Sequence, residues 1–236
     1  MDIAGSLQPY ISDLSPTQLA QVSTYLDLLL RWNSKMNLTS VRDLKDIVSR
    51  HFGESFFLAT QLFPLSFRAE RGIPTPAHQL QILDLGSGAG FPAIPLKIYR
   101  PDLALTLVEA HHRKAVFLRE VLRALNLDAE VKNVRAEDLP PASADLVTLR
   151  AVEKFDSILP TAARLLRKEV MDAGRPRPAE PDFVHRPPST VHSGLALLIG
   201  SAQIARAQQL LLNWRFHPGI PIPNSQNRVI QLVEPS

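Results

Sequence analysis

The chain contains no cysteine, which excludes disulfide bonds and thiolate metal sites and lends no support to an oxidising compartment. Long apolar runs are missing too. The longest late run, Leu195 to Ile199, is far too short to cross a bilayer. The opening Met1-Asp-Ile-Ala-Gly lacks the basic and apolar regions of a secretory signal. The histidines are scattered without metal-ligand spacing, so no metal site is expected. No segment repeats. Charge of one sign is modest: 26 Lys and Arg against 23 Asp and Glu leave a formal charge of +3 and a pI near 9.4. That permits a polyanionic partner without demanding one. What remains is globular composition, 45% hydrophobic and 21% charged over 236 residues, enough for a full core carrying an extra lobe. The expectation is a cytoplasmic monomer with no membrane partner.

Two kinds of pattern divide the chain. Ser15-Pro16-Thr17-Gln18 reads as a helix start, with Ser15 as cap, Pro16 at the first helical position and Gln18 reaching back. Leu19, Val22, Leu26, Leu29 and Leu30 then follow on one face. A second helix is predicted from about Asp43, with Leu44, Ile47, Val48, His51, Phe56, Ala59 and Leu62 near one stripe. Residues 1–70 therefore read as a small helical lobe. Pro64, Gly72, Pro74 and Pro76 mark a linker.

From Leu80 strands and helices alternate. Strands are predicted at Leu80–Leu85, Leu103–Glu109, Ala129–Val134, Asp145–Leu149 and Leu195–Ile199. Helices are expected at Pro92–Tyr99, Arg113–Leu125, Phe155–Lys168 and Ser201–Leu212, with Val116, Phe117, Val121 and Leu125 of the second facing inward. Such alternation predicts an α/β, Rossmann-like parallel sheet covered on both faces, over residues 80–236. Trp214–Pro218 and Arg228–Val233 suit an antiparallel pair closing it. The proline-rich stretch 169–193 reads as a mobile loop.

The first strand ends in Asp84-Leu85-Gly86-Ser87-Gly88-Ala89-Gly90, followed by a helix. Glycines let backbone approach a ligand that side chains would block, and ligands of such sheets sit beyond the strands' carboxyl ends. A Walker loop is excluded, because no Gly-Lys-Ser/Thr follows. The dinucleotide fingerprint wants a small residue at the sixth place from the first glycine, where Phe91 stands. Asp84 would also repel a pyrophosphate, whereas the amino and sulfonium groups of S-adenosylmethionine suit a nearby carboxylate. Glu109, ending the next strand, can accept both ribose hydroxyls of an adenosine, and Ala136-Glu137-Asp138 follows the third strand at the adenine edge. These residues point to an S-adenosylmethionine-dependent methyltransferase.

The chain also resembles the GidB/RsmG family of 16S ribosomal RNA guanine-N7 methyltransferases. The likeness rests on Trp32-Asn33-Ser-Lys-Met-Asn37-Leu38-Thr39, Arg50-His51, Asp84 to Leu96, Arg113-Lys114-Ala-Val-Phe117-Leu118 and Leu149-Arg150-Ala151. It implies a class I methyltransferase fold. It also implies cofactor contacts at Gly86, Phe91, Ala136, Glu137 and Arg150, joined by Gly88 and Glu109 from the general methyltransferase pattern. The implied substrate is one guanine in a decoding-region loop of 16S ribosomal RNA, free or in a small-subunit assembly intermediate. Two departures stand out: Glu54 replaces the family's usual Asp, and Ile199-Gly200 its Lys-Gly pair.

Guanine N7 carries a lone pair and no proton, so its methylation needs alignment rather than a general base. No obligatory catalytic residue is expected. Arg150 and His51 are positioning candidates, and Arg50, His51, Arg135 and Arg150 are candidate RNA contacts. The bland readings are a core histidine for His51 and solvated strand-end arginines for Arg135 and Arg150. A methyltransferase acting on another RNA, a protein or a small molecule stays open. So does a non-catalytic RNA-binding assembly factor, although intact Asp84, glycines and Glu109 speak against a decayed loop.

Overall fold

The computed structural model describes residues 1–63, 80–150, 154–167 and 193–236. The linker around Pro64–Gln79 and nearly all of the proline-rich stretch lie outside them. Among the described residues no helix is long and apolar enough to cross a membrane.

Five parallel strands form the centre of the sheet: β1 (Gln81–Leu85), β2 (Ala104–Val108), β3 (Glu130–Lys132), β4 (Leu146–Arg150) and β5 (Gly194–Gly200). β6 (Trp214–Phe216), β7 (Ile220–Pro221) and β8 (Arg228–Pro235) complete it, β8 running antiparallel to β5, β6 and β7. The order is β3-β2-β1-β4-β5-β8-β6. Strand order reverses between β1 and β4, where a crevice opens beyond the carboxyl ends. β1, β4 and β5 are buried almost throughout, as expected of strands covered on both faces.

The N-terminal helices are α1 (Ile3–Leu7), α2 (Pro16–Asn33), α3 (Leu44–Ile47) and α4 (Glu54–Leu62), with a π-helical turn (Val48–Gly53) joining the last two. The capping box forms as read: the Gln18 amide donates to Ser15 Oγ (3.2 Å), and Gln18 Oε1 accepts from the Ser15 amide (2.9 Å). Later helices are α5 (Ala93–Tyr99), α6 (His112–Ala124), α7 (Phe155–Leu165) and α8 (Ala202–Leu210). One core joins Tyr25, Leu29, Phe52 and Phe56 to Phe91, Ile94 and Phe117, so the early helices share a core with one face of the sheet. A second core under α7 and α8 covers the other face.

Two predicted stripes shift. The π turn adds a residue to the helical repeat, so Phe52 and Leu58 enter the core; Leu44, the first residue of α3 ahead of that turn, is 42% exposed. In α6 the buried face is Ala115, Phe117, Leu118, Val121 and Leu122, and Val116 points to solvent at 38% exposure. One step of about 100° from Phe117 carries Val116 off that stripe.

Candidate active site

The loop after β1 is fastened from both sides. The Gly86 and Ser87 amides donate to the Val108 carbonyl (2.9 and 3.1 Å), and the Gly88 amide donates to Glu109 Oε2 (2.8 Å). The other Glu109 oxygen accepts from the His111 amide (2.7 Å). From the helical lobe, the buried Tyr25 hydroxyl donates to the Ala89 carbonyl. Gly88 and Gly90 both hold positive φ, 54° and 88°. A Cβ on Gly88 would meet only the Gly86 carbonyl, at 3.6 Å, whereas one on Gly90 would lie 2.5 Å from the Tyr25 hydroxyl. Gly88 thus leaves space beside the loop, and Gly90 yields to packing behind it.

A cavity of about 490 Å³ lies over this loop, within the usual range of ligand sites. Its walls bring together His51, Gly86, Gly88, Phe91, Glu109, Glu137 and Arg150. Four other residues named from sequence stand elsewhere. Asp84 and Ala136 are buried, and neither is among the residues lining this cavity. Arg135 is exposed, and Arg50 lines a neighbouring notch. Lys114, Lys154, Ser157 and Ile158 complete one side.

Register sets Asp84 beside Thr148, whose hydroxyl donates to Asp84 Oδ1 (2.6 Å). Asp84 Oδ2 is buried without a hydrogen-bond partner among the described residues. Burial lifts this carboxyl to about 6, against the opposing Thr148 hydrogen bond. A buried, half-satisfied carboxylate behind a glycine loop suits a cationic ligand.

Phe91 organises the opposite wall. Its ring stacks on Tyr25 (centroids 5.1 Å, 9°) and on His51 (5.1 Å, 24°), while Phe52 meets it edge-on. The Arg150 guanidinium lies 5.9 Å from the ring centroid. Arg150 Nη2 donates to the Arg50 carbonyl (2.6 Å) and lies 3.2 Å from His51 Nδ1 and 3.3 Å from Glu54 Oε2. The second Glu54 oxygen pairs with Arg228 Nη2 at 2.6 Å. Since guanidinium can only donate, His51 Nδ1 is the acceptor and Nε2 carries the hydrogen, which goes to Thr39 Oγ1 at 2.7 Å. Burial first, then Arg150, pushes the imidazole down to about 3, so it stays neutral.

Sequence reading missed Tyr25, Thr148 and Arg228. Tyr25 was detectable, because it sits between Val22 and Leu26 on the buried face of α2. Arg228, far along the chain from Glu54, carried no local signal.

The strand order, the glycine loop after β1 and the acid ending β2 define a class I methyltransferase fold. The chain belongs to the GidB family, described as rRNA small subunit methyltransferase G, whose model matches residues 18–171. A ribosomal RNA small subunit methyltransferase G of Chloroflexus aggregans is 41% identical over 160 residues, covering 65% of this chain and 62% of that protein. One from Bacillus pumilus is 37% identical over 163 residues, 66% and 63% respectively. The chain thus spans slightly under two thirds of these relatives' length. Among solved structures, a Pyrococcus horikoshii protein superposes with TM-score 0.54 at 11% identity, covering 87% of this chain and 99% of that one. A ribosomal protein L11 methylase from Lactobacillus delbrueckii subsp. bulgaricus gives 0.51 at 13%, over 78% and 79%. These two likenesses concern the fold alone.

Proposed function

We propose that this protein methylates N7 of a guanine in 16S ribosomal RNA, free or within a small-subunit assembly intermediate, in the cytoplasm and as a monomer. The observation that carries the reading is the single cavity where the glycine loop, Glu109, Phe91, His51 and Arg150 converge at the switch point of a GidB-family sheet. S-adenosylmethionine, when bound, supplies an electrophilic methyl group. Gly86 and Gly88 would give it backbone approach, Glu109 would accept from its ribose hydroxyls, and Glu137, which lines the cavity, would border its adenine. Asp84, ionised above about 6, favours its positive charge from behind the loop.

At the acceptor end, Arg150 and His51 hold the base beside Phe91. A guanidinium fork suits the O6 edge of guanine, next to N7. N7 gives up no proton, and His51, held neutral at about 3 and already an acceptor for Arg150, is a poor base. Positioning without proton transfer fits N7 better than an exocyclic amine. Arg50 and Arg135 are the candidate contacts to the RNA outside the cavity.

Nucleoside mass analysis of small-subunit ribosomal RNA, after incubation with enzyme and labelled S-adenosylmethionine, tests this. One N7-methylguanosine is expected. Label on protein, on small molecules or on another base atom would overturn the reading.

A further inference from the structure

A second depression, of about 550 Å³, lies against the acceptor end of the cavity. One side is the π-helical turn with Ser49 and Arg50, and the other is the turn Asn224-Ser-Gln-Asn227 leading into Arg228 on β8. The link to the cavity is direct, because Arg150 donates to the Arg50 carbonyl and shares Glu54 with Arg228. The buried Glu54 carboxylate thus pairs with two guanidinium groups, of Arg150 and Arg228, and the charge of Arg50 acts on it as well. His51, buried among them, is kept neutral first by that burial and then by these charges. Asp46 on the rim offsets one of these charges, and a net positive charge remains. Among the described residues the Arg50 side chain makes no hydrogen bond or ion pair.

Resting on the RNA reading above, we propose that this notch docks the RNA strand flanking the methylated guanine. Arg50 and Arg228 take phosphodiester oxygens, and the amides of Asn224, Gln226 and Asn227 meet sugar hydroxyls or exposed base edges. Glu54 ties the two subsites together: one oxygen orients Arg150 toward the base, and the other holds Arg228 on the notch floor. The chemistry agrees with the ligand. Phosphates on a strand need cations beside the base pocket, and single-stranded RNA offers unstacked edges to amide side chains.

Arg50→Gln and Gln226→Glu probe the notch from opposite walls, both at exposed side chains. Arg123→Gln, exposed in the last turn of α6, removes the same charge elsewhere. The readouts are KM for a 16S ribosomal RNA transcript, the salt dependence of its binding, and S-adenosylmethionine affinity by calorimetry. Each notch variant is expected to raise KM for RNA roughly tenfold with cofactor affinity retained, and Arg50→Gln to reduce the salt slope by about one. Arg123→Gln should raise KM less than threefold. Wild-type KM and slope in both notch variants, or an equal loss in Arg123→Gln, would overturn the docking groove while leaving RNA methylation intact. A wild-type protein that neither binds nor methylates RNA would overturn both.

Discussion

Gly88 and Gly90 stand two residues apart in one loop, and the same substitution at each should fail in different ways. Both occupy left-handed backbone, which costs a non-glycine residue about 1–2 kcal/mol. At Gly88 that strain is nearly the whole cost. Its φ of 54° matches that of Ala142, where this chain already holds an alanine. The added Cβ makes one ordinary contact, at 3.6 Å. Gly88→Ala should therefore lose about 1 kcal/mol, a fall in Tm of roughly 2–4 °C for a chain this size.

At Gly90 the Cβ would stand 2.5 Å from the Tyr25 hydroxyl, 2.7 Å from Ile94 Cδ1 and 3.1 Å from Leu118 Cδ2. Overpacking of that kind adds about 1–3 kcal/mol to the strain, and Tm should drop by roughly 5–15 °C. Binding should reverse the ranking. In Gly88→Ala the methyl group takes up space beside the loop, so S-adenosylmethionine affinity should fall at least about tenfold, some 1.4 kcal/mol. Its thermal protection by the ligand should shrink accordingly. Thermal melts with and without ligand, joined to calorimetric titration, measure both effects. Full affinity in Gly88→Ala, or equal destabilisation by the two substitutions, would refute the division of roles.

Glu109→Ala removes the acceptors proposed for two ribose hydroxyls, each worth about 1.5–3 kcal/mol when the partner is charged; calorimetry should find affinity at least tenfold lower, and an analogue lacking those hydroxyls should lose its disadvantage in the variant. Asp84 gives a pH signature. Its folded carboxyl titrates near 6 against about 3.9 unfolded, so the ligand-free fold loses up to about 3 kcal/mol as pH rises through that window. Affinity for the cationic ligand should rise over the same window and level off above it. Calorimetry from pH 5 to 8 should find that slope in the wild type and a flat profile in Asp84→Asn.

What could be read from sequence was local or periodic. The capping box of Ser15 and Gln18 lies within four residues, and the β1 loop is spelled out in seven. Helix stripes were legible in outline: Ile47, Val48, Phe56, Ala59 and Leu62 are buried as read, while the π turn between Val48 and Gly53 hid Phe52, and Leu44 and Val116 stand off the buried faces. Pairings across the fold had no such signal. Glu54 meets Arg150 and Arg228 only because α4 packs beside the ends of β4 and β8. Ala136 and Asp84 belong to the expected cofactor site, and neither lines the cavity, because strand-end sequence does not distinguish the layer lining a cavity from the layer behind it.

Phe91 ties these observations together. At the sixth place from Gly86 a dinucleotide fold needs a small residue for close helix-to-strand packing. From sequence, the phenyl ring there excludes that class, and the family resemblance implies a cofactor contact at it. In the fold, the ring leaves the sheet and enters the helical lobe, between Tyr25 and His51. Aromatic pairs of this kind contribute about 0.5–1.5 kcal/mol each beyond buried area, and Phe91 makes three, counting Phe52. Tyr25 then returns through its hydroxyl to Ala89, one turn of the same loop. The lobe is therefore not an appendage beside a finished site. It grips the glycine loop from behind through Tyr25 and supplies the facing cavity wall through His51. Its Glu54 carboxylate anchors Arg150, so the loop and the wall facing it are set by one packed unit.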